Sequence, residues 1–431
     1  MHYFKYKNSD LYAEGIPVKK IVKDVGTPLY IYSYKTLMQH FSAFEDAFDG
    51  YPNIICFALK ANSNIALLTA LAKKGCGADV VSGGELYLAL KSGMPAGKIV
   101  YAGVGKTREE IRYALKSRIL MFNIESSDEL MAIDETAGEM GVKAPIALRV
   151  NPDIKASTHP YISTGLKNHK FGIPIEEAVE NYRLASSLLN INVLGIHCHI
   201  GSQITKISPF VDALKKVLQL AKKLKSRGIE IKYLDIGGGL GITYDNEVTP
   251  YPRELAKGIT PLIKEYDFTL ILEPGRSIAG NAGILVTRAL YLKKTLFKDF
   301  VIVDSGMNDL LRPSLYGAYH QILPVKKNAR RKLRVDVVGP ICESGDFFAK
   351  ERKMNRPLKG DLLAIMSSGG YGFSMSSNYN GRSRPAEVLV KGSRYFVIRE
   401  RETYKDLTRR TKIPDFLKES GKGAEGQRHR V

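Results

Sequence analysis

Residues 56–64 read CFALKANSN, and the lysine in that stretch is the first residue that asks for a chemical explanation. Lys60 ends an apolar run from Ile54 to Leu59, where a strand buried on both faces makes an ammonium costly to desolvate. A partly desolvated amine at a strand end has a lowered pKa and acts as a nucleophile towards a carbonyl, which is Schiff-base chemistry. Other unusual residues close other apolar runs: Arg149 and Asn151 in IALRVNP, His197 and His199 in HCHIG, Gly237, Gly238 and Gly239 in DIGGG, and Glu273 and Arg276 in EPGR.

Those runs are eight in number: IICFALKAN, ADVVS, KIVYAG, LMFNIE, IALRVNP, VLGIHCHIG, YLDIGGG and TLILEPGRS. Between them lie segments of helical period, several with an N-terminal Ser, Thr or Asp and a closing Gly. Strands that alternate with helices pair in parallel, and eight such units in one stretch predict an α/β fold, a (β/α)₈ TIM-like barrel over residues 27–280. After residue 281 the pattern becomes strands and turns with no long helix, which predicts a second, all-β domain made of residues 281–408 together with 1–26. In a parallel barrel the loops at the C-terminal strand ends project into one mouth, and the residues singled out above all fall at such ends.

Their types then specify a ligand. The triple glycine allows backbone N–H groups to approach an anion, as a phosphate requires. Glu273 can keep a pyridine nitrogen protonated. A lysine, a phosphate cradle and a carboxylate together describe a pyridoxal 5′-phosphate (PLP) site. The competing reading is a metal site on His197 and His199, which stand two apart on a strand and share a face. It lacks an HxH near the first strand and an Asp at a later strand end, and it leaves the glycines unexplained, so no metal is expected.

In order, FALKAN, HCHIGSQ, DIGGGLG, EPGR, CESGD and SSGGYG run from about residue 5 to residue 407 and resemble the fold-type III PLP-dependent basic amino-acid decarboxylases. The resemblance implies that Lys60 binds the cofactor as a Schiff base with Asp79 beside it, and that His199 stacks on the pyridine face. Ser202, Gly237, Gly238, Gly239, Glu273, Gly275 and Arg276 would hold the phosphate and ring, with Tyr371 closing over them. His197 matches less directly, and its role stays open.

For the substrate, the resemblance implies that Arg276, Arg312, Tyr316 and Tyr371 bind a carboxylate far from the reacting centre, and that Glu343 binds an ammonium. Both charges are carried by meso-diaminopimelate, whose decarboxylation gives lysine; ornithine, arginine and carboxynorspermidine are the alternative substrates, and a non-catalytic PLP-binding relative is the alternative function. Cys342, Lys60 and His199 are the catalytic candidates, with Cys342 or Lys60 returning a proton to Cα. The resemblance further implies a homodimer in which Cys342 and Glu343 reach into the other subunit's barrel.

Composition sets the remaining bounds. The 431 residues are 44% hydrophobic and 25% charged, with a net charge of +20 spread along the chain and no RNA-binding signature, so neither nucleic acid nor a membrane is an expected partner. Four cysteines without CxxC spacing suggest reduced thiols, and the opening residues lack a signal-peptide pattern; a cytoplasmic enzyme is expected. From Arg409 to Val431, seven Lys or Arg stand against three acids, which reads as a basic, mobile tail.

Overall fold

The computed structural model describes residues 2–154 and 170–418. Eight parallel strands form the barrel: Asn53–Ala58, Gly77–Val80, Ile99–Tyr101, Met121–Ile124, Ala144–Asn151, Ile191–His197, Tyr233–Asp235 and Thr269–Leu272. Each pairs with the next, and the last closes on the first through Leu270–Asn53, Ile271–Ile54 and Leu272–Ile55. Their near-continuous apolar runs are what strands covered on both faces require.

Helices cover the outside at Ile65–Ala72, Gly83–Lys91, Arg108–Ser117, Ser127–Glu139, Ala178–Ser187, Ser208–Lys225 and Pro252–Ile263. Three of them start the way their sequences require. Ser82, Thr107 and Ser126 each accept a hydrogen bond from a backbone N–H three residues on, satisfying donors that a first helical turn leaves without partners. These caps fix where the three helices begin after their strand ends.

Register sets the layers of that mouth. Arg149 pairs with His197, His197 with Asp235, and Ala58 with Asp79, so the polar residues stand level at the C-terminal ends. Lys60 lies two residues beyond its strand, on a single 3₁₀ turn at Leu59–Ala61.

The second sheet contains the strands Gly283–Lys294, Asp299–Val303, Lys332–Val338, Phe347–Asn355, Leu362–Ile365, Ala386–Lys391 and Arg394–Arg399. One boundary differs from expectation. The strand Leu29–Ser33 lies in this sheet, between Gly283–Lys294 and Ala386–Lys391, and not in the 27–280 barrel. All five of its residues are buried, and LYIYS has no face that tolerates solvent. The helix Tyr34–Ala47 then carries the chain across to pack on the barrel helix Pro252–Ile263. Residues 4–17 add a three-stranded sheet tied to this domain by Leu11 N–H donating to the Val325 carbonyl at 2.7 Å. Of the basic tail, residues 419–431 lie outside the described residues; 409–418 are largely exposed.

The two domains meet around Lys60. Asn62 Nδ2 donates to the Gly369 carbonyl at 3.0 Å, the Tyr371 N–H to the Ala61 carbonyl at 2.7 Å, and Asn64 Nδ2 to Glu387 at 2.8 Å. The lysine turn is therefore held from both sides.

Candidate active site

Lys60, His199, Ser202, Gly239, Glu273, Gly275, Arg276 and Tyr371 line one pocket at the barrel mouth. Lys60 Nζ stands 2.5 Å from Asp79 Oδ2. Asp79 is fully buried, whereas 37% of the Lys60 side chain is reached by solvent. Desolvation pulls the Lys60 pKa down, as expected from its position, but the charges of Asp79, Glu273 and Tyr371 outweigh it and the pKa is raised. The expectation of a lowered value omitted these carboxylates. Burial and Glu273 also push Asp79 upward against the pull of Lys60, so the two shifts favour different proton positions. The solvent access of the amine and its short contact favour the ion pair.

Glu273 is 5% exposed. Burial alone would raise its pKa, but His197 and Lys60 outweigh burial and hold the carboxyl well below its usual range. His197 Nε2 lies 3.6 Å from Glu273 Oε2, longer than a hydrogen bond. Beside them Asp235 is pushed well above the carboxylate range by burial and by Glu273. Asn123 Nδ2 bridges the two acids, donating to Asp235 Oδ2 at 3.1 Å and to Glu273 Oε1 at 3.3 Å. One acid is kept ionised and its neighbour neutral, an assignment set by environment and not by residue type.

His199 accepts from the Gly238 N–H at 3.2 Å through Nδ1, which places its proton on Nε2. Burial and the charges of Arg149 and Lys60 depress its pKa well below the usual value, so the imidazole is neutral. Gly237 N–H donates to Asp235 Oδ1 at 2.9 Å. Two of the three glycine N–H groups thus orient side chains, and only Gly239 of the triple lines the pocket. A Cβ on Gly238 would meet the Glu273 carbonyl at 2.2 Å, and one on Gly239 the Gly201 carbonyl at 2.3 Å. These glycines let two strand ends pass closely.

The anion-binding side is built from arginines. Arg276 donates to Ser202 Oγ from Nε and Nη2, at 3.3 and 3.1 Å, and from Nη1 to the Tyr244 hydroxyl at 2.7 Å. Its guanidinium lies 4.7 Å from the Tyr371 ring centre. Arg312 lies 4.5 Å from the Tyr244 ring centre, and its Nη1 meets His320 Nε2 at 2.8 Å. Tyr316, half-buried, ends the same short helix, Arg312–Tyr316, and both arginines feel its field.

Cys342 and Glu343 are not brought into this pocket; both are exposed on the single chain. Cys342 N–H donates to Asn380 Oδ1 at 2.8 Å, and Glu343 accepts from the Tyr379 hydroxyl. Sequence reasoning missed Asp235, Asn123, Tyr244 and His320. It also held that no later strand ended in an Asp, whereas Asp235 ends the seventh, and the ligand atoms of His197, Asp235 and Glu273 lie within 4.8 Å of one another. The cluster can be read without an ion: a neutral Asp235 and the Asn123 bridge already satisfy much of it. Asp235 was legible in the quoted DIGGG, and His320 closes the run RPSLYGAYH that holds Arg312 and Tyr316; nothing marked Tyr244.

The pocket fits PLP. An amine at a strand end, an ionised buried carboxylate, a neutral imidazole and a Ser–Arg–Gly anion cradle converge there, and Asp79 Oδ1 is buried without a partner. Residues 34–280 match the pyridoxal-binding domain of the pyridoxal-dependent decarboxylases, the class that this barrel and pocket define. The chain is 52% identical to the diaminopimelate decarboxylase of Aquifex aeolicus over 403 residues, 93% of this chain and 96% of that one. Among solved structures, the diaminopimelate decarboxylase from M. jannaschii in complex with L-lysine superposes with a TM-score of 0.92 at 42% identity, covering 96% of this chain and 98% of that one. The Helicobacter pylori diaminopimelate decarboxylase complexed with L-lysine gives 0.88 at 44% identity, covering 91% and 98%. The chain belongs to the diaminopimelate decarboxylase family.

Proposed function

We infer that this chain removes the carboxylate from the D-centre of meso-2,6-diaminopimelate, releasing CO₂ and L-lysine, with PLP as its cofactor. The observation that carries the choice of substrate is the pair Arg276 and Arg312. Both guanidiniums are at least 94% buried, and among the described residues their partners are hydroxyls, a ring nitrogen and ring faces, with no carboxylate. Two buried cations without a counter-ion are costly, and an incoming anion offsets that cost. Arg276 also faces the cofactor cradle; Arg312 is the cation left for a substrate carboxylate. Ornithine and arginine have no carboxylate at their far end.

PLP supplies a protonated pyridine ring that takes up the electron pair left when CO₂ departs. The protein's part is positional and electrostatic. Lys60 would hold the cofactor's aldehyde carbon, and Asp79 keeps its amine charged and fixed beforehand. Glu273, held ionised, would keep a proton at the ring nitrogen. His199, neutral and oriented by Gly238, would cover one ring face, while Ser202, Gly239, Gly275 and Arg276 would hold the phosphate. Gly237 and Gly238 act through Asp235 and His199. Tyr371, docked on Ala61, would close the site, and Tyr316 would join Arg312 at the distal carboxylate.

Glu343 takes the distal ammonium and Cys342 stands at the reacting centre only if they come from a second copy of the chain. The exposure of both on one chain supports an isologous homodimer with two identical composite sites. Two groups in such a site carry a proton that can return to Cα: the Lys60 ammonium and the Cys342 thiol. Glu343→Gln tests the assignment. It should cost about 2–5 kcal/mol in kcat/KM for diaminopimelate, because the distal ammonium is left buried and unpaired. A small amine substrate without that group should be affected far less; equal losses on both would remove Glu343 from substrate recognition.

A further inference from the structure

His320 is fully buried, and both of its ring nitrogens are engaged. Nδ1 lies 2.8 Å from the Met366 carbonyl, which can only accept, so the ring proton is there. Nε2, left with its lone pair, accepts from Arg312 Nη1 at 2.8 Å. The ring also meets Tyr244 edge-on, with 5.2 Å between centres, and Tyr244 receives Arg276 on its hydroxyl and Arg312 on its face. Arg312 Nε is buried and has no partner. One edge of the guanidinium is therefore consumed by the protein, and a donor on it remains for a ligand.

An arginine side chain has about 2 kcal/mol of rotamer entropy to lose when it is fixed. Two like charges sharing one tyrosine also repel, and the Tyr244 face fixes the plane of the Arg312 guanidinium but not the direction of its N–H groups. An acceptor at one Nη corner, anchored in turn to the Met366 carbonyl, provides that resistance without neutralising the cation. A carboxylate in the same place would hold Arg312 equally well but would cancel its charge for an incoming anion.

We propose that His320 is a positioning residue for substrate specificity, holding Arg312 through an uncharged acceptor so that its remaining donors meet the distal carboxylate. This rests on the reading of Arg312 as the carboxylate site. The role is separable from cofactor binding, because among the described residues the hydrogen bonds and ring contact of His320 go to Arg312, Met366, Arg352 and Tyr244, none of which lines the cofactor pocket.

The test compares two ligands of the PLP-loaded enzyme by titration calorimetry: L-lysine, which keeps the distal carboxylate, and cadaverine, the same chain without it. Wild type should bind L-lysine at least about tenfold more tightly. His320→Ala should weaken L-lysine about tenfold and leave cadaverine within about twofold, with the visible absorbance of the bound cofactor unchanged. His320→Gln, whose amide oxygen can reach the Nε2 position and accept from Arg312, should recover most of the loss. His320→Phe keeps a ring against Tyr244 but has no acceptor; it should behave as the alanine variant and decides the matter if the latter does not fold. A wild type that binds both ligands alike removes the carboxylate reading and this proposal with it. A wild type that discriminates, alongside alanine or phenylalanine variants that discriminate as strongly, overturns the role of His320 alone.

Discussion

His320 and Lys60 illustrate how neighbours, and not burial alone, set charge in this molecule. Burial and Arg312 hold the His320 pKa at about 3, whereas the unfolded chain's imidazole titrates at its ordinary value of about 6.5. Between those values the unfolded state binds a proton that the folded state refuses, so stability falls as pH falls through that window, by up to about 1.4 kcal/mol per pH unit from this group. His199, also depressed, adds a contribution of the same sign. His320→Asn should therefore lose about 2 kcal/mol less than wild type between pH 7 and pH 4.5, read from urea midpoints. Equal losses in the two proteins would mean that His320 is not kept neutral in the fold. At Lys60 the balance runs the other way, and here sequence reasoning was misled: the apolar run before the lysine signals desolvation, but Asp79 and Glu273 come from other strands and reverse its effect.

At the scale of elements, the barrel was legible because β-branched runs and helical segments alternate eight times, and the rim residues because each closes a run. What was not legible depends on register. Leu29–Ser33 reads like any other buried strand, and only its pairing partners place it in the second sheet. The DIGGG motif was recognised as a glycine turn, yet its main task is steric: Gly238 lets the seventh strand end pass the Glu273 carbonyl. Gly238→Ala should displace that segment and, with it, the Glu273 carboxylate. We expect PLP affinity to fall at least about tenfold, measured by absorbance titration, since an overpacked contact costs about 1–3 kcal/mol. Gly97→Ala, where a Cβ would meet open space, should leave it unchanged and serves as the control. A Gly238→Ala enzyme that binds PLP as tightly as wild type would show that the loop can yield without moving Glu273.

For the whole molecule, one chain brings Lys60, Glu273 and Arg276 to one pocket but leaves Cys342 and Glu343 exposed. A two-fold dimer would unite them. If Lys60→Ala and Cys342→Ala are mixed so that subunits exchange, each heterodimer holds both lesions in one site and none in the other, and about a quarter of wild-type activity should return. Demonstrated exchange without recovery would put Cys342 in its own chain's site. Among the described residues no helix is long and apolar enough to cross a membrane. The central claim is the reaction itself, and CO₂ release measured together with L-lysine formation tests it most directly. Enzyme given meso-diaminopimelate should produce the two in equal amounts only when PLP is bound, lose the activity when PLP is stripped, regain it on reloading, and turn over ornithine at least about a hundredfold less efficiently. Lysine formation that persists without PLP, or ornithine turnover as efficient as that of diaminopimelate, would contradict it.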